Sequence, residues 1–218
     1  MSEPSYLSIT RTAYDTVAVD YAELLSDELA AKPLDRAMLG TFAELVRADG
    51  GGPVGDLGCG PGRVTAHLDS LGLKAFGVDL SPGMIAVARR RYPGLRFEEG
   101  AIAALDLADG SLGGVVAWYS IIHTPPELLP AVFAEFHRVL APGGQLLLAF
   151  QVGDECRHIE EAYGHAGLSY YAYRLPPDRV TELLGRAGIV VDARLVREPK
   201  GAEKTPQAFL LARKPEGA

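Results

Sequence analysis

Cysteine is nearly absent from the chain: Cys59 and Cys156 are the only two in 218 residues. Neither sits in a CxxC or another metal-ligand spacing, which speaks against a metal site. Two cysteines make no disulfide framework, so a reducing, cytoplasmic setting is expected. Long apolar runs are missing too. Stretches such as QLLLAFQV fall far short of the ~20 residues that a membrane helix needs, and no membrane partner is expected. The opening MSEPSYLSIT has no basic segment followed by an apolar one, so no signal peptide is expected. Basic residues are outnumbered, 21 Lys and Arg against 28 Asp and Glu. That balance disfavours a polyanionic partner, so no nucleic acid is expected. The sharpest basic cluster, Arg89, Arg90 and Arg91, lies in a helical pattern and reads as a solvated face. No internal repeat or low-complexity segment appears. No interface signal appears either, which leaves monomer and homodimer both open.

What is present is an ordinary globular mix, 48% hydrophobic and 22% charged, of a length that suits one domain. Residues 1–30 carry spaced tyrosines, Tyr6, Tyr14 and Tyr21, and 34–48 show apolar residues at helical spacing. From residue 53 the pattern repeats strand, turn, helix. PVGDL, KAFGVDL, LRFEE, VVAWYS and QLLLAFQV read as strands. GRVTAHLDSLG, GMIAVARRRY and PELLPAVFAEFHRVL read as helices, the second opened by a Ser81 cap and Pro82. This alternation predicts an α/β fold, a Rossmann-like, doubly wound, mostly parallel sheet. Residues 153–175 are polar and aromatic with no clear period. The helix DRVTELLGRAGI follows, and VVDARLVRE and QAFLLARK read as a closing hairpin. One or both of its strands should run antiparallel to the rest, for seven strands in all.

The stretch VGDLGCGPGRV, 54–64, places Gly58, Gly60 and Gly62 just after the first strand. In open α/β sheets that is where a nucleotide-like ligand binds. The dinucleotide fingerprint G-x-G-x-x-G needs a glycine where Arg63 stands, and no Lys-Ser/Thr follows as a P-loop requires. Asp56, two residues before the first glycine, would repel a pyrophosphate and suit an ammonium or sulfonium. Asp79 ends the second strand, where an acid can accept hydrogen bonds from ribose hydroxyls. A ligand with a ribose and a cation and no need of phosphate fits; S-adenosylmethionine is one. As plain turn glycines and capping acids, the same residues are hard to explain together. Cys59 reads as a small filler.

From about residue 40 to 152 the chain resembles the class I S-adenosylmethionine-dependent methyltransferases, in their small-molecule branch. GDLGCGPG, GVDLSPGM and RVLAPGGQLLLAF carry the resemblance, in order and at the right spacing. It implies one methyltransferase domain over 1–218, with 1–48 as a helical lid and 153–175 as a substrate-side insertion. It implies S-adenosylmethionine as cofactor and S-adenosylhomocysteine as product. Gly58 and Gly60 would let the backbone touch the cofactor, Asp56 would order its amino group, and Asp79 would hold its ribose. Leu80 would pack on the adenine, with Met84 either beside it or in the core. The family often has Gly-Asp after the third strand. Here the stretch is EEGAIAAL, so backbone atoms of Ala101 and Ile102, or Glu99, must read the adenine edge. After the fourth strand, WYSIIHTPPE offers Trp118, Tyr119 and Ser120 to the methionine end, with Tyr119 or Ser120 favoured and Trp118 equally a core residue.

Methyl transfer needs a base only if the acceptor arrives protonated. His123 is the candidate base, on the face where the methyl should point; the alternative is a histidine that anchors its loop. Tyr14 and Tyr21, two helical turns apart, share a face, and with Tyr163 and Tyr171 they are the candidate substrate contacts or plain lid packing. Other residues of 153–175, such as Glu160, His165, Tyr170 and Tyr173, belong to the same region. The expected activity is methyl transfer to O, N or C of a small molecule. YSIIH, in place of an Asn-Pro-Pro-Tyr-type motif, speaks against nucleobase or glutamine amides. A non-methylating member, cyclase or binding protein, is the alternative; a nicotinamide oxidoreductase is disfavoured by Arg63 and Asp56.

Overall fold

The computed structural model describes residues 4–217. Three helices come first: α1 (Ser5–Leu24), the four-residue α2 (Glu28–Ala31) and α3 (Pro33–Ala48). Then β1 (Pro53–Leu57), α4 (Arg63–Ser70), β2 (Lys74–Asp79), α5 (Pro82–Arg91), β3 (Arg96–Glu99), β4 (Leu112–Trp118), α6 (Leu129–Val139) and β5 (Leu140–Gln151) alternate. β6 (Cys156–Ala162), β7 (His165–Tyr173), α7 (Pro177–Arg186), β8 (Val190–Arg197) and β9 (Gln207–Arg213) complete the chain.

Seven strands form one sheet in the order β3-β2-β1-β4-β5-β9-β8. β1 pairs in parallel with both β2 and β4. The chain order reverses there, so a crevice opens beyond the carboxyl ends of these strands. The strands are apolar because helices cover both faces. Val54, Val116 and Leu147 face Leu39, Phe42 and Val46 of α3 in one buried cluster. Val115, Leu146 and Leu148 face Phe133 and Phe136 of α6 in another. Ser81 caps α5 as its sequence predicts, its Oγ accepting from the Met84 N–H at 3.0 Å. Pro130 is tolerated because it falls in the first turn of α6, where no helical bond is lost.

One expectation is narrowed and another needs correction. In the closing hairpin only β9 is antiparallel to the sheet core; it is inserted between β5 and β8. α7 returns the chain to the end where the parallel strands begin, so β8 runs with them at the sheet edge. Residues 153–175 are also regular: β6 and β7 form a separate antiparallel hairpin. Its signal is period two in β7, where Leu168, Tyr170 and Ala172 are buried and alternate with exposed Gly167, Ser169 and Tyr171. Tyr163 and Gly164, both at positive φ (54° and 83°), make the tight turn.

α1 and this hairpin pack on each other and on α5. Ala13, Val17, Ala18 and Ala22 bury a face of small side chains against Met84, Val87, Leu168 and Tyr170. Asp15 Oδ1 fastens α1 to the start of α5, accepting from Ser81 Oγ at 2.5 Å and from the Gly83 N–H at 2.8 Å.

Candidate active site

The glycine loop is shaped by its neighbours as well as by any ligand. At Gly58, φ is +79°, and a Cβ there would lie 2.2 Å from Ser120 Cβ. A Cβ on Gly62 would lie 2.7 Å from the Phe97 ring. Gly60 differs: the nearest atom to its ideal Cβ is on Tyr21, 3.9 Å away. Gly58 and Gly62 therefore let the loop pack, and Gly60 keeps the floor of the crevice open.

Asp79 closes one wall. Its Oδ2 accepts from the Gly60 N–H at 2.8 Å and its Oδ1 from the Ser81 N–H at 2.9 Å. Each oxygen keeps a lone pair for a ligand. Enclosure raises its pKa to about 6, against the pull of these N–H groups. Asp56 is completely buried. Its Oδ2 accepts from Thr65 Oγ1 at 2.6 Å, and its Oδ1 has no partner. Burial raises its pKa to about 7, opposed by the Thr65 hydrogen bond and Arg63. Arg63 lies alongside. Its Nη2 meets Glu28 Oε2 at 2.6 Å, and its Nη1 is buried without a partner. The crevice lining thus holds an unpaired acid oxygen and an unpaired guanidinium N–H, too far apart to satisfy each other. That asymmetry matches a zwitterion with an ammonium and a carboxylate.

These raised acids fix a pH dependence. A folded carboxyl at about 7 binds its proton where the unfolded group, near 3.8, has lost it. Asp56 therefore lowers stability progressively as pH rises from about 4 to 7. Asp79 acts in the same direction up to about 6. His123, lowered to about 4 by burial, acts oppositely between about 4 and 6.5. Comparing Asp56→Asn with the parent isolates the first effect. The variant's gain in melting temperature should be near zero at pH 4 and reach ~10 °C at pH 7.5. Thermal unfolding across this range checks it; a pH-independent difference would contradict it.

The other sequence candidates fall as follows. Leu80, Met84, Ala101, Ile102, Trp118, Tyr119 and Ser120 all line the crevice. Met84 is buried against α1 as well, so it serves both core and wall. Trp118 also packs on Phe209, ring centroids 5.4 Å apart. Tyr119 has φ +57°, an uncommon value that turns the chain at the end of β4. Its hydroxyl and Ser120 Oγ are buried without partners. Glu99 is exposed and lies outside the lining.

Across the crevice stands α1. Tyr6, Leu7, Thr10, Arg11, Tyr14 and Tyr21 face it. The sequence reading found the two tyrosines but missed the rest, although 7, 10, 11 and 14 have helical spacing. It also missed Arg63 as a contact, having used it only as a departure from the dinucleotide fingerprint. Tyr14 Oη lies 2.7 Å from His123 Nε2. Tyr163 packs edge-on against Tyr21 at 4.7 Å and backs the wall without lining it. Tyr171 is turned outward and stacks on His158; only its carbonyl approaches the site, 3.1 Å from His123 Nδ1. His165 pairs with Asp20 of α1 at 2.7 Å, at the outer edge of the hairpin. Among the described residues no cluster of His, Cys, Asp and Glu is arranged to hold a metal.

Comparison with known proteins agrees with this fold. A family model described as a methyltransferase domain matches residues 54–144. The demethylmenaquinone methyltransferase of Chlorobaculum parvum is 40% identical over 90 residues, covering 41% of this chain and 36% of that protein. The trans-aconitate 2-methyltransferase of Methylobacterium nodulans is 42% identical over 104 residues, 45% of this chain and 37% of the relative. The chain thus spans well under two thirds of the length of these curated relatives. Among solved structures, the 1,6-didemethyltoxoflavin-N1-methyltransferase of Burkholderia thailandensis superposes with a TM-score of 0.72 at 20% identity, over 99% of this chain and 92% of that one. That likeness establishes the fold.

Proposed function

We propose, from the premise that the chain belongs to the class I S-adenosylmethionine-dependent methyltransferases, that it transfers a methyl group from S-adenosylmethionine to a small molecule, leaving S-adenosylhomocysteine. One observation carries this reading: the unpartnered Asp56 Oδ1 and Arg63 Nη1 flank the glycine loop, with Asp79 on the neighbouring strand. Asp79 would take the two ribose hydroxyls. Asp56 would receive the amino group and Arg63 the carboxylate. Leu80, Ala101 and Ile102 would enclose the adenine, and Tyr119 and Ser120 the methionine end. When bound, the sulfonium supplies an already activated methyl. The chain's own work is to hold the acceptor in line and keep water out. The first falls to the α1 face, with His123 behind Tyr14; the second falls to α1 and the β6–β7 hairpin, acting as lid and substrate-side insertion. Both cysteines are free, which supports work in the cytoplasm. No helix among the described residues is long and apolar enough to cross a membrane.

Calorimetric titration tests the cofactor. Micromolar binding of S-adenosylmethionine and S-adenosylhomocysteine, with none of NADH, is expected. NADH binding, or no binding of either sulfur compound, would overturn the reading. Formation of S-adenosylhomocysteine with an acceptor separates methyl transfer from a purely binding or cyclising role.

A further inference from the structure

His123 has no nitrogen left with which to meet an acceptor. Nδ1 faces the Tyr171 carbonyl at 3.1 Å, and a carbonyl only accepts, so Nδ1 carries the ring proton. Nε2 is then the lone pair, and the Tyr14 hydroxyl, 2.7 Å away, donates to it. With its proton given to His123, the Tyr14 oxygen can only accept. The rings of Tyr21 and Tyr170 pack around Tyr14, their centroids 6.0 and 5.6 Å from its own. The Tyr14 oxygen, and not a His123 nitrogen, is thus the group left to meet an acceptor in the crevice.

We propose that Tyr14 is the catalytic residue that touches the acceptor, that His123 acts through it, and that the acceptor is a neutral small molecule with an ionisable hydroxyl, a phenol or an enol. This rests on the methyltransferase reading above. The acceptor's O–H proton passes to Tyr14 Oη as the phenol's own proton passes to His123 Nε2. An oxygen–carbon bond forms as the methyl's carbon–sulfur bond breaks, its electron pair leaving with sulfur. His123 becomes an imidazolium and returns its proton to solvent after release. The positive charge in the enclosed site moves from sulfur to imidazole, so net charge is conserved where burial makes charge costly.

The surroundings favour this acceptor. Tyr6, Leu7, Thr10 and Thr124 line that end of the crevice with hydroxyls and apolar surface. A carboxylate acceptor arrives ionised and would leave a proton relay idle. The titratable groups facing the pair are Tyr21 from α1, Asp79 from β2, and Tyr163 and Tyr170 from the hairpin. Burial, and after it the neighbouring tyrosines and Asp79, hold Tyr14 protonated at rest, so the proton passes through the phenol.

Nitrogen-15 NMR of histidine-labelled protein tests the pair without turnover. In the S-adenosylhomocysteine complex at pH 7, His123 should show a protonated Nδ1 and an unprotonated, hydrogen-bonded Nε2, whose shift moves in Tyr14→Phe. A protonated Nε2, or no change in the variant, would overturn the relay. Labelled methyl transfer to 2-naphthol, 2-naphthoic acid and 2-naphthylamine tests the class. Label on naphthol alone is expected; label on the acid or amine, or on none, would overturn it. Tyr14→Phe should lower kcat on naphthol at least 100-fold and keep S-adenosylhomocysteine affinity within threefold. Parent-like turnover would count against the proposal. Loss of S-adenosylhomocysteine binding by the parent would instead count against the cofactor reading.

Discussion

Asp79→Ala should weaken S-adenosylhomocysteine binding at least 100-fold. Asp79 stands at the carboxyl end of β2, oriented by the Gly60 and Ser81 N–H groups. That orientation leaves its outer lone pairs aimed at the crevice. Hydrogen bonds to a charged group contribute ~1.5–3 kcal/mol each, so two ribose hydroxyls account for ~3–6 kcal/mol. A factor of ten in affinity is about 1.4 kcal/mol, which sets the 100-fold floor. The fold should survive, because removing an enclosed carboxylate also removes its desolvation cost. Calorimetry and thermal unfolding on the same sample check both halves. Parent-like affinity would show that the ribose lies elsewhere.

Gly58→Ala should have the largest effect on stability, and Gly60→Ala a contrasting one. The Gly58 Cβ would sit 2.2 Å from Ser120 Cβ, at a φ of +79°. Left-handed strain and a steric clash between two loops combine to ~3 kcal/mol or more. For a domain of this size that lowers the melting temperature by ~6–12 °C. Adding Ser120→Gly should restore the part due to the clash and not the part due to φ. Gly60→Ala meets nothing within 3.9 Å, so it should cost ~1–2 kcal/mol from φ alone. Its methyl group would instead protrude into the crevice and weaken cofactor binding. Equal losses of stability in the two variants would contradict this division of roles.

Period and punctuation made the sheet legible. An apolar run ended by glycine marked β1, the apolar runs KAFGVDL and VVAWYS marked β2 and β4, and the Ser81-Pro82 cap marked α5. The cofactor crevice was legible because strand ends and the glycine loop are local features. Two kinds of feature were not. The alternation of Leu168, Tyr170 and Ala172 was masked by tyrosines on both faces of β7, so the hairpin read as irregular. The outward turn of Tyr171 follows from that same alternation. Arg63 was read by what it excludes. Its positive role appears only when the fold buries one guanidinium nitrogen in the crevice that Asp56 also lines. The Tyr14–His123 contact joins residues 109 apart in sequence and depends on how α1 docks across the crevice. No local pattern encodes that distance.

The most direct test of the site is a crystal structure of the protein with S-adenosylhomocysteine. The expected result is a ligand with both ribose hydroxyls on Asp79, its amino group toward Asp56 and its carboxylate on Arg63. A ribose placed away from Asp79, or a crevice that stays empty at saturating ligand, would contradict it.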